Sequence, residues 1–329
     1  MRRGSAGLFA VALWLAAAAG ANARPLDLVA AIPVGAEPLG LALAADGSVL
    51  VVAAGEKALY RIDTAQPSGP AVTGRLDLAA EGRLNHVVVA PGDGTAYISA
   101  SVAGQVLALP PSLSAVAARI KVGAFPQGLA LDGDRLYVAD SGDGTVAVVD
   151  RQKGTLVEKL DGGDRPQTVV VDRQAGRLIL VKSTTRSLWL FNLADNQQAG
   201  RWDNPSFVRP MDLAVLADGS TLLVDAGAGR VLHLGPDGST RATIALDDPG
   251  CAACGEFTPV AIALSADRGL AAVASRNGAL SLIDVAADRL ILSRRVGRDL
   301  RGVVFDRAGR LVATSFAENR VIVAEGGRP

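Results

Sequence analysis

Residues 135–150 of the chain read RLYVADSGDGTVAVVD. This segment contains two apolar runs, LYVA and VAVV, separated by the polar, glycine-rich sequence DSGDGT. Short runs of β-branched and aliphatic residues on either side of an Asp- and Gly-rich turn are typical of two antiparallel strands. Because neither run alternates with polar residues, the pattern predicts two adjacent strands that are buried on both faces.

A phrase consisting of a proline or leucine and a short apolar strand precedes this hairpin, and the phrase recurs seven times. Its copies begin at Pro38, Leu84, Pro126, Pro166, Pro210, Pro259 and Leu300. The steps between copies are 46, 42, 40, 44, 49 and 41 residues. Second strands are predicted at residues 49–53, 96–100, 136–140, 178–182, 221–225, 270–274 and 311–315. A period of this size, with several strands in each repeat, is typical of β-propeller blades.

The repeats therefore predict an all-β fold, a seven-bladed β-propeller of four-stranded antiparallel blades. A third strand follows each second strand, and a more polar fourth strand closes most repeats. The last repeat has sequence for three strands only, so the N-terminal strand at residues 26–32 is predicted to join the last blade and close the ring. This pairing would remove an exposed sheet edge. Residues 24–329 are predicted to form the single propeller domain.

Composition excludes several classes of protein. The chain has 33 basic and 33 acidic residues among 329, and 49% of its residues are hydrophobic. A disordered chain would have far fewer hydrophobic residues, and a nucleic-acid-binding protein is usually strongly basic. We therefore predict a folded protein that does not bind nucleic acid.

The N-terminus has the pattern of a secretory signal peptide. Arg2 and Arg3 precede an apolar run at residues 8–19, and the small residues of Ala21-Asn22-Ala23 follow it. The apolar run is shorter than a typical membrane-spanning helix, which favours a signal peptide over a membrane anchor. We therefore predict cleavage after Ala23. The mature chain would keep 31 basic and 33 acidic residues. We predict a monomeric periplasmic protein that is not inserted in the membrane after cleavage.

The hairpin at residues 135–150 resembles the YVTN repeat of exported β-propellers, and it is also similar to NHL repeats. The resemblance extends over essentially the whole mature chain, although the second, fourth and sixth repeats are degenerate. It implies the fold and export, but no particular activity. Proteins of this type include surface-layer propellers, periplasmic binding proteins, lactonase-like hydrolases and streptogramin lyase-like enzymes.

Side chains just before the inner strands are predicted to ring one mouth of the central channel. In blade order these positions hold Glu37, Arg83, Phe125, Arg165, Arg209, Thr258 and Asp299, with Arg301 close behind. Because guanidinium groups form forked hydrogen bonds to carboxylates and phosphates, the four arginines are candidate binding residues for an anion or an acidic protein segment, and Glu37 is a further candidate ligand-binding residue at the same mouth. The alternative is that they pair internally with Glu37, Asp299, Asp140 and Asp225.

The ends of the second strands bring Asp140, Lys182 and Asp225 to the same face, and these residues are further candidate ligand-binding groups. Carboxylates and a lysine can serve acid–base chemistry when burial separates their pKa values. The alternative is structural, because polar groups at strand ends commonly bind neighbouring loop backbones.

Evidence for an enzyme is weaker. A lactonase-like hydrolase would hold a divalent metal with groups such as Glu37, Asn85 and Asp225, but the nearby arginines would oppose a cation. A lyase-like site would need a histidine, and only His86 and His233 are present. No Ser-His-Asp spacing, nucleophile elbow or zinc motif occurs. We therefore predict no resident cofactor and favour a protein that is not an enzyme.

Two cysteines, Cys251 and Cys254, stand in the longest interval between repeat phrases. In an oxidising compartment a disulfide between them is expected, and it would stiffen the loop. Gly255 occupies the position at which a c-type haem site requires histidine. Copper(I) binding by two thiolates is the alternative.

Together these patterns predict an exported, non-catalytic binding or scaffolding module that acts through an arginine-rich channel mouth and a Cys-x-x-Cys loop. Its partner would be an unidentified protein or a small anionic ligand. The alternatives are a metal-dependent lactonase-like hydrolase and, less favoured, a copper-handling periplasmic protein.

Overall fold

The aliphatic runs predicted as second strands are among the most deeply buried segments of the protein. In a computed structural model, which describes residues 25–247 and 257–326, nearly every residue of these runs is inaccessible to solvent. Within the described residues the chain forms seven four-stranded antiparallel sheets arranged in a ring. The prediction of an all-β, seven-bladed propeller is confirmed.

Each blade has its innermost strand at the channel and its fourth strand at the periphery. The chain begins with β1 (Asp27–Pro33), which belongs to blade 7. Blade 1 contains β2 (Pro38–Leu43), β3 (Val49–Ala53), β4 (Ala58–Asp63) and β5 (Ala71–Asp77). Blade 2 contains β6 (Leu84–Val89), β7 (Ala96–Ala100), β8 (Gln105–Leu109) and β9 (Ala118–Lys121). Blade 3 contains β10 (Pro126–Asp132), β11 (Arg135–Asp140), β12 (Thr145–Asp150) and β13 (Thr155–Asp161).

The remaining blades repeat this order. Blade 4 contains β14 (Thr168–Asp172), β15 (Arg177–Lys182), β16 (Ser187–Asn192) and β17 (Gln198–Asp203). Blade 5 contains β18 (Pro210–Val215), β19 (Thr221–Asp225), β20 (Arg230–Leu234) and β21 (Thr240–Ala245). Blade 6 contains β22 (Pro259–Leu264), β23 (Leu270–Ser275), β24 (Ala279–Asp284) and β25 (Arg289–Arg295). Blade 7 contains β26 (Leu300–Phe305), β27 (Leu311–Ser315) and β28 (Arg320–Glu325), with β1 as its outer strand.

The two ends of the described chain close the ring. Strand β1 pairs antiparallel with β28, in a register that places Ile32 opposite Val321 and Asp27 opposite Glu325. The side chain of Arg294, from blade 6, also binds the carbonyl of Leu26. The predicted closure by an N-terminal strand is therefore confirmed, with the strand one residue later than expected.

The hydrophobic core consists of layers between neighbouring blades. Between blades 3 and 4, for example, Tyr137 and Val148 pack with Leu178 and Phe191. Each fully buried aliphatic side chain contributes about 1.5–3 kcal/mol to folding. Because the residues on one face of a blade are covered only by the next blade, the blades stabilise one another.

The inner strands approach one another closely around the channel. A β-carbon on Gly128 would lie 2.5 Å from the carbonyl oxygen of Gln167 in the next blade, and the Gly128 N–H donates to that oxygen at 2.9 Å. Gly40 is similarly close to Asn85. Glycine at these positions lets the inner strands converge, so the side chains beside them determine what the channel can hold.

Two predicted features fall outside the described residues, namely the signal peptide at residues 1–23 and the loop that carries Cys251 and Cys254. Across residues 25–247 and 257–326, no helix has both the length and the apolar character needed to cross a membrane.

Candidate binding site in the central channel

The central channel of the described structure contains a cavity with a volume of about 880 Å³. Two positions of the repeated phrase form the part of the cavity wall that lies nearest the channel mouth. The position after the first residue of each phrase holds Leu39, Asn85, Gln127, Gln167, Met211, Val260 and Arg301. The next position holds Gly40, His86, Gly128, Thr168, Asp212, Ala261 and Gly302. Deeper in the channel the wall is apolar, with residues such as Leu129, Val170 and Val304.

Two of the four predicted arginines, Arg83 and Arg301, line this cavity. The Nη1 atom of Arg83 lies 2.7 Å from Oε2 of Glu37. Arg301 forms a forked pair with Asp299, in which Nε and Nη2 each lie 2.8 Å from a carboxylate oxygen. Its guanidinium carbon also lies 4.7 Å from the centre of the Phe316 ring. The guanidinium of Arg301 is therefore held in place at the channel wall, whereas that of Arg83 has a single ion-pair contact.

The other two predicted arginines, Arg165 and Arg209, do not line the cavity. Arg165 is exposed and has a left-handed backbone, with φ of 44°. Arg209 is partly buried, and its Nε atom has no hydrogen-bond partner among the described residues. The arginine-rich ring expected at the mouth thus separates into a pair inside the cavity and a pair outside it.

Two of the predicted strand-end groups, Lys182 and Asp225, are fully buried away from the cavity. Lys182 donates to the carbonyl of Gly162 at 2.6 Å, and its Nζ lies 4.2 Å from the centre of the Trp189 ring. Burial lowers the pKa of Lys182. Asp225 accepts hydrogen bonds from the backbone N–H groups of Val208 and Arg209. These contacts match the structural alternative stated for the two residues.

The third strand-end group, Asp140, is also fully buried and lies outside the cavity, but its environment is different. Neither carboxyl oxygen has a hydrogen-bond partner among the described residues. Burial raises the pKa of Asp140 to about 7, although the nearby charge of Lys159 acts in the opposite direction. Asp140 is therefore largely protonated below neutral pH.

A histidine and an aspartate face the cavity from the same layer. His86 comes from blade 2, and its Nδ1 is buried without a partner among the described residues. Asp212 comes from blade 5, and its two oxygens accept the N–H groups of Leu213 at 2.9 Å and Ile262 at 3.0 Å. Burial lowers the pKa of His86 to about 4 and raises that of Asp212 to about 6.

Asp212 was not among the residues expected at the site, although the repeat itself contains the signal. When the seven phrases are superposed, the third position is glycine, alanine or threonine in five copies. His86 and Asp212 are the two titratable residues at that position. A titratable side chain at a position that otherwise holds small residues is a sign of a role other than packing.

Two of the three groups named for the lactonase-like alternative are otherwise engaged. Glu37 pairs with Arg83, and Asp225 pairs with Arg230 at 3.0 Å. Within residues 25–247 and 257–326, no three His, Cys, Asp or Glu side chains are grouped so that they could hold a metal ion. His233 lies between Asp288, at 2.6 Å, and Ser220, at 2.9 Å, as expected of a histidine that packs within the blades.

Comparison with known proteins identifies the fold and no family. No family model matches the chain, and no curated protein sequence matches it. A solved structure of a streptogramin B lyase is similar, with a TM-score of 0.76 and 12% identity over 92% of this chain and 98% of the lyase chain. A chain of Kuenenia stuttgartiensis hydrazine synthase is similar with a TM-score of 0.74 and 16% identity, over 93% and 97% of the two chains. At these identities the similarities establish the propeller architecture.

Proposed function

We propose that the protein is an exported binding module that holds a small anionic ligand at the top of its central channel, between Arg83 and Arg301. The observation that carries this proposal is the position of Arg301, whose guanidinium lines a cavity of about 880 Å³ while Asp299 and Phe316 fix its orientation. A fixed guanidinium loses little freedom when it binds a carboxylate or phosphate.

The free hydrogen-bond donors of the two arginines support this role. A guanidinium has five N–H donors, and Asp299 uses two donor atoms of Arg301. Glu37 contacts Arg83 through one atom, Nη1, and both side chains of that pair remain partly exposed. The two arginines come from blades 2 and 7, which flank blade 1, where the channel wall holds the uncharged Leu39 and Gly40. An anion above blade 1 would therefore lie between two guanidinium groups, where it would compete with the carboxylate of Glu37 for Arg83.

The size of the cavity favours a small molecule over a protein loop. Cavities of about 300–1,000 Å³ with a few convergent polar groups are typical of small-molecule sites. The apolar wall deeper in the channel, which includes Val170 and Val304, would cover the nonpolar part of such a ligand. The proposal also includes periplasmic location, which rests on the signal-peptide pattern at residues 1–23.

Isothermal titration calorimetry with short mono- and dicarboxylates and inorganic phosphate tests the proposal. We expect one of these anions to bind, and Arg301→Ala to weaken that binding about tenfold or more. Glu37→Gln should strengthen binding, because it removes the carboxylate that competes for Arg83. Arg186→Ala is the matched control, since Arg186 is exposed and lies outside the cavity. Equal losses in the Arg301 and Arg186 variants, or no anion binding, would contradict the proposal.

A further inference from the structure

The layer of the cavity next to Arg301 is rich in hydrogen-bond acceptors. The amide nitrogen of Asn85 donates to the carbonyl of Pro126 at 3.3 Å, which leaves the amide oxygen of Asn85 as an acceptor. The Nδ1 atom of His86 has no hydrogen-bond partner among the described residues, and a neutral imidazole has one accepting nitrogen. Asp212 adds a carboxylate from the opposite part of the ring.

The carboxylate of Asp212 has no counter-cation among the described residues. Its hydrogen bonds come from two backbone N–H groups, and it takes part in no ion pair. The described cations that line the cavity are Arg83 and Arg301, and both already pair with carboxylates of their own. A carboxylate that is partly removed from water and lacks a cation is unfavourable, and a bound cation would relieve that cost.

We propose that His86 and Asp212 form a second subsite, which binds an ammonium group, so that the ligand of the channel is a zwitterionic amino carboxylate. This inference rests on the proposed function, because the ligand's carboxylate would lie at Arg83 and Arg301. An ammonium group has three donors and no acceptor, which suits a layer that offers acceptors from Asn85, His86 and Asp212.

The titration properties of the two groups suit a bound ammonium near neutral pH. Burial lowers the pKa of His86 to about 4, so its ring is neutral and does not repel a cation. Burial raises the pKa of Asp212 to about 6, so most of its carboxylate is still ionised at pH 7.5. The apolar residues of the wall, such as Val170 and Val304, would contact the methylene chain of the ligand.

Calorimetry with matched pairs of ligands tests the subsite. The probes are the ω-amino carboxylates with chains of three to six carbons, the plain carboxylates of the same lengths, and hexylamine. We expect at least one ω-amino carboxylate to bind about tenfold more tightly than its plain partner, the effect of one charge-assisted hydrogen-bonded contact. Asp212→Asn should abolish that advantage. Asp164→Asn is the control, because it removes an exposed carboxylate outside the cavity.

Each outcome decides between the two proposals. If plain and amino carboxylates bind equally to the wild-type protein, the ammonium subsite is wrong and the arginine site stands. If hexylamine binds through Asp212 but no carboxylate binds, the ammonium subsite stands and the arginine site is wrong. If nothing binds, both are wrong. Should Asp212→Asn fail to fold, His86→Leu serves instead, and an unchanged amino advantage in that variant would contradict a subsite that includes His86.

Discussion

Asp140 and Asp225 occupy the same place in two blades, at the end of the second strand on the channel-mouth face, yet their surroundings differ completely. Asp225 accepts hydrogen bonds from the N–H groups of Val208 and Arg209, at 3.1 and 2.7 Å, and from the guanidinium of Arg230. Asp140 has no hydrogen-bond partner in the described structure. Both side chains are fully buried.

The difference comes from the loop and the strand that face each carboxyl group. In blade 5 the cross-strand partner of Asp225 is Arg230, whereas in blade 3 the partner of Asp140 is Thr145. The loops before the two blades also differ in backbone conformation. Phe125, before blade 3, has a left-handed φ of 53°, whereas Arg209, at the equivalent position before blade 5, does not have a positive φ. The hydrogen bond from Lys159 and then the backbone N–H of Ala124 lower the pKa of Asp143, the carboxyl group three residues after Asp140.

Equivalent positions in two repeats of this chain therefore differ in their effect on stability. Removing a buried carboxylate that is paired and fully hydrogen-bonded lowers the free energy of unfolding, because its partners are left buried without it. A buried carboxyl group without partners lowers stability whenever it ionises.

Asp225→Ala should lower the free energy of unfolding by about 3 kcal/mol, because it leaves the Arg230 guanidinium and two backbone N–H groups without their carboxylate. Urea unfolding at pH 7.5 measures the change. Asp140→Ala is the matched control and should cost clearly less. If both variants lose equal stability, the contrast between the two blades is wrong.

Asp140→Asn should remove a pH dependence of stability. The pKa of Asp140 is raised to about 7 by burial, whereas an aspartate in an unfolded chain has a pKa of about 3.9. Between these values the unfolded chain has lost the proton and the folded protein has kept it, so the stability that Asp140 contributes falls as pH rises, by about 1.4 kcal/mol per unit. Urea unfolding of wild type and Asp140→Asn at pH 4.5, 5.5 and 6.5 should show a difference that changes steadily with pH. A constant difference would contradict the raised pKa.

Lys159→Met should lower stability by less than about 1 kcal/mol, because the pair between Lys159 and Asp143 is partly exposed. Its more informative effect is on Asp140. The positive charge of Lys159 lowers the pKa of Asp140, so its removal should raise that pKa further above 7. Carboxyl-carbon NMR titration measures the shift, with Asp140→Asn used to assign the signal. A lower pKa in the variant would overturn this description of the cluster.

Thr145→Val should have the smallest effect, within about 0.5 kcal/mol of wild type. The hydroxyl of Thr145 is buried and has no hydrogen-bond partner in the described structure. Replacing it with a methyl group of similar size therefore breaks no hydrogen bond. Arg230→Met, at the corresponding position of blade 5, is the comparison and should be much more destabilising. Thermal unfolding of the two variants distinguishes them, and a large loss for Thr145→Val would show that its hydroxyl has a partner.

Much of the architecture was predictable from local pattern. The second strands in residues 49–53, 96–100 and 221–225 have the predicted bounds, because each is an uninterrupted aliphatic run between turn residues. The missing strand in the last repeat also predicted the pairing of β1 with β28. These features depend on residues that are close in sequence or on a simple count of strands.

The candidate site was predictable only in part. Arg83 and Arg301 were expected at the mouth and do line the cavity, whereas Arg165 and Arg209 were expected there and lie outside it. Asp212 was missed, because an aspartate in an inner strand resembles an ordinary strand residue until all seven phrases are compared. The disulfide between Cys251 and Cys254, export and the monomeric state remain predictions.

The sequence by itself determined the number of blades, the strands within each blade and the way the ring closes, because strand formation and stacking follow from local apolar runs and their period. The tertiary structure alone decided which polar groups are satisfied and which face the channel. Asp225 and Asp140 differ through loop conformation and cross-strand neighbours, and Asp212 and His86 line the same cavity from different blades. Such contacts join residues from different elements of the chain, so no local pattern specifies them.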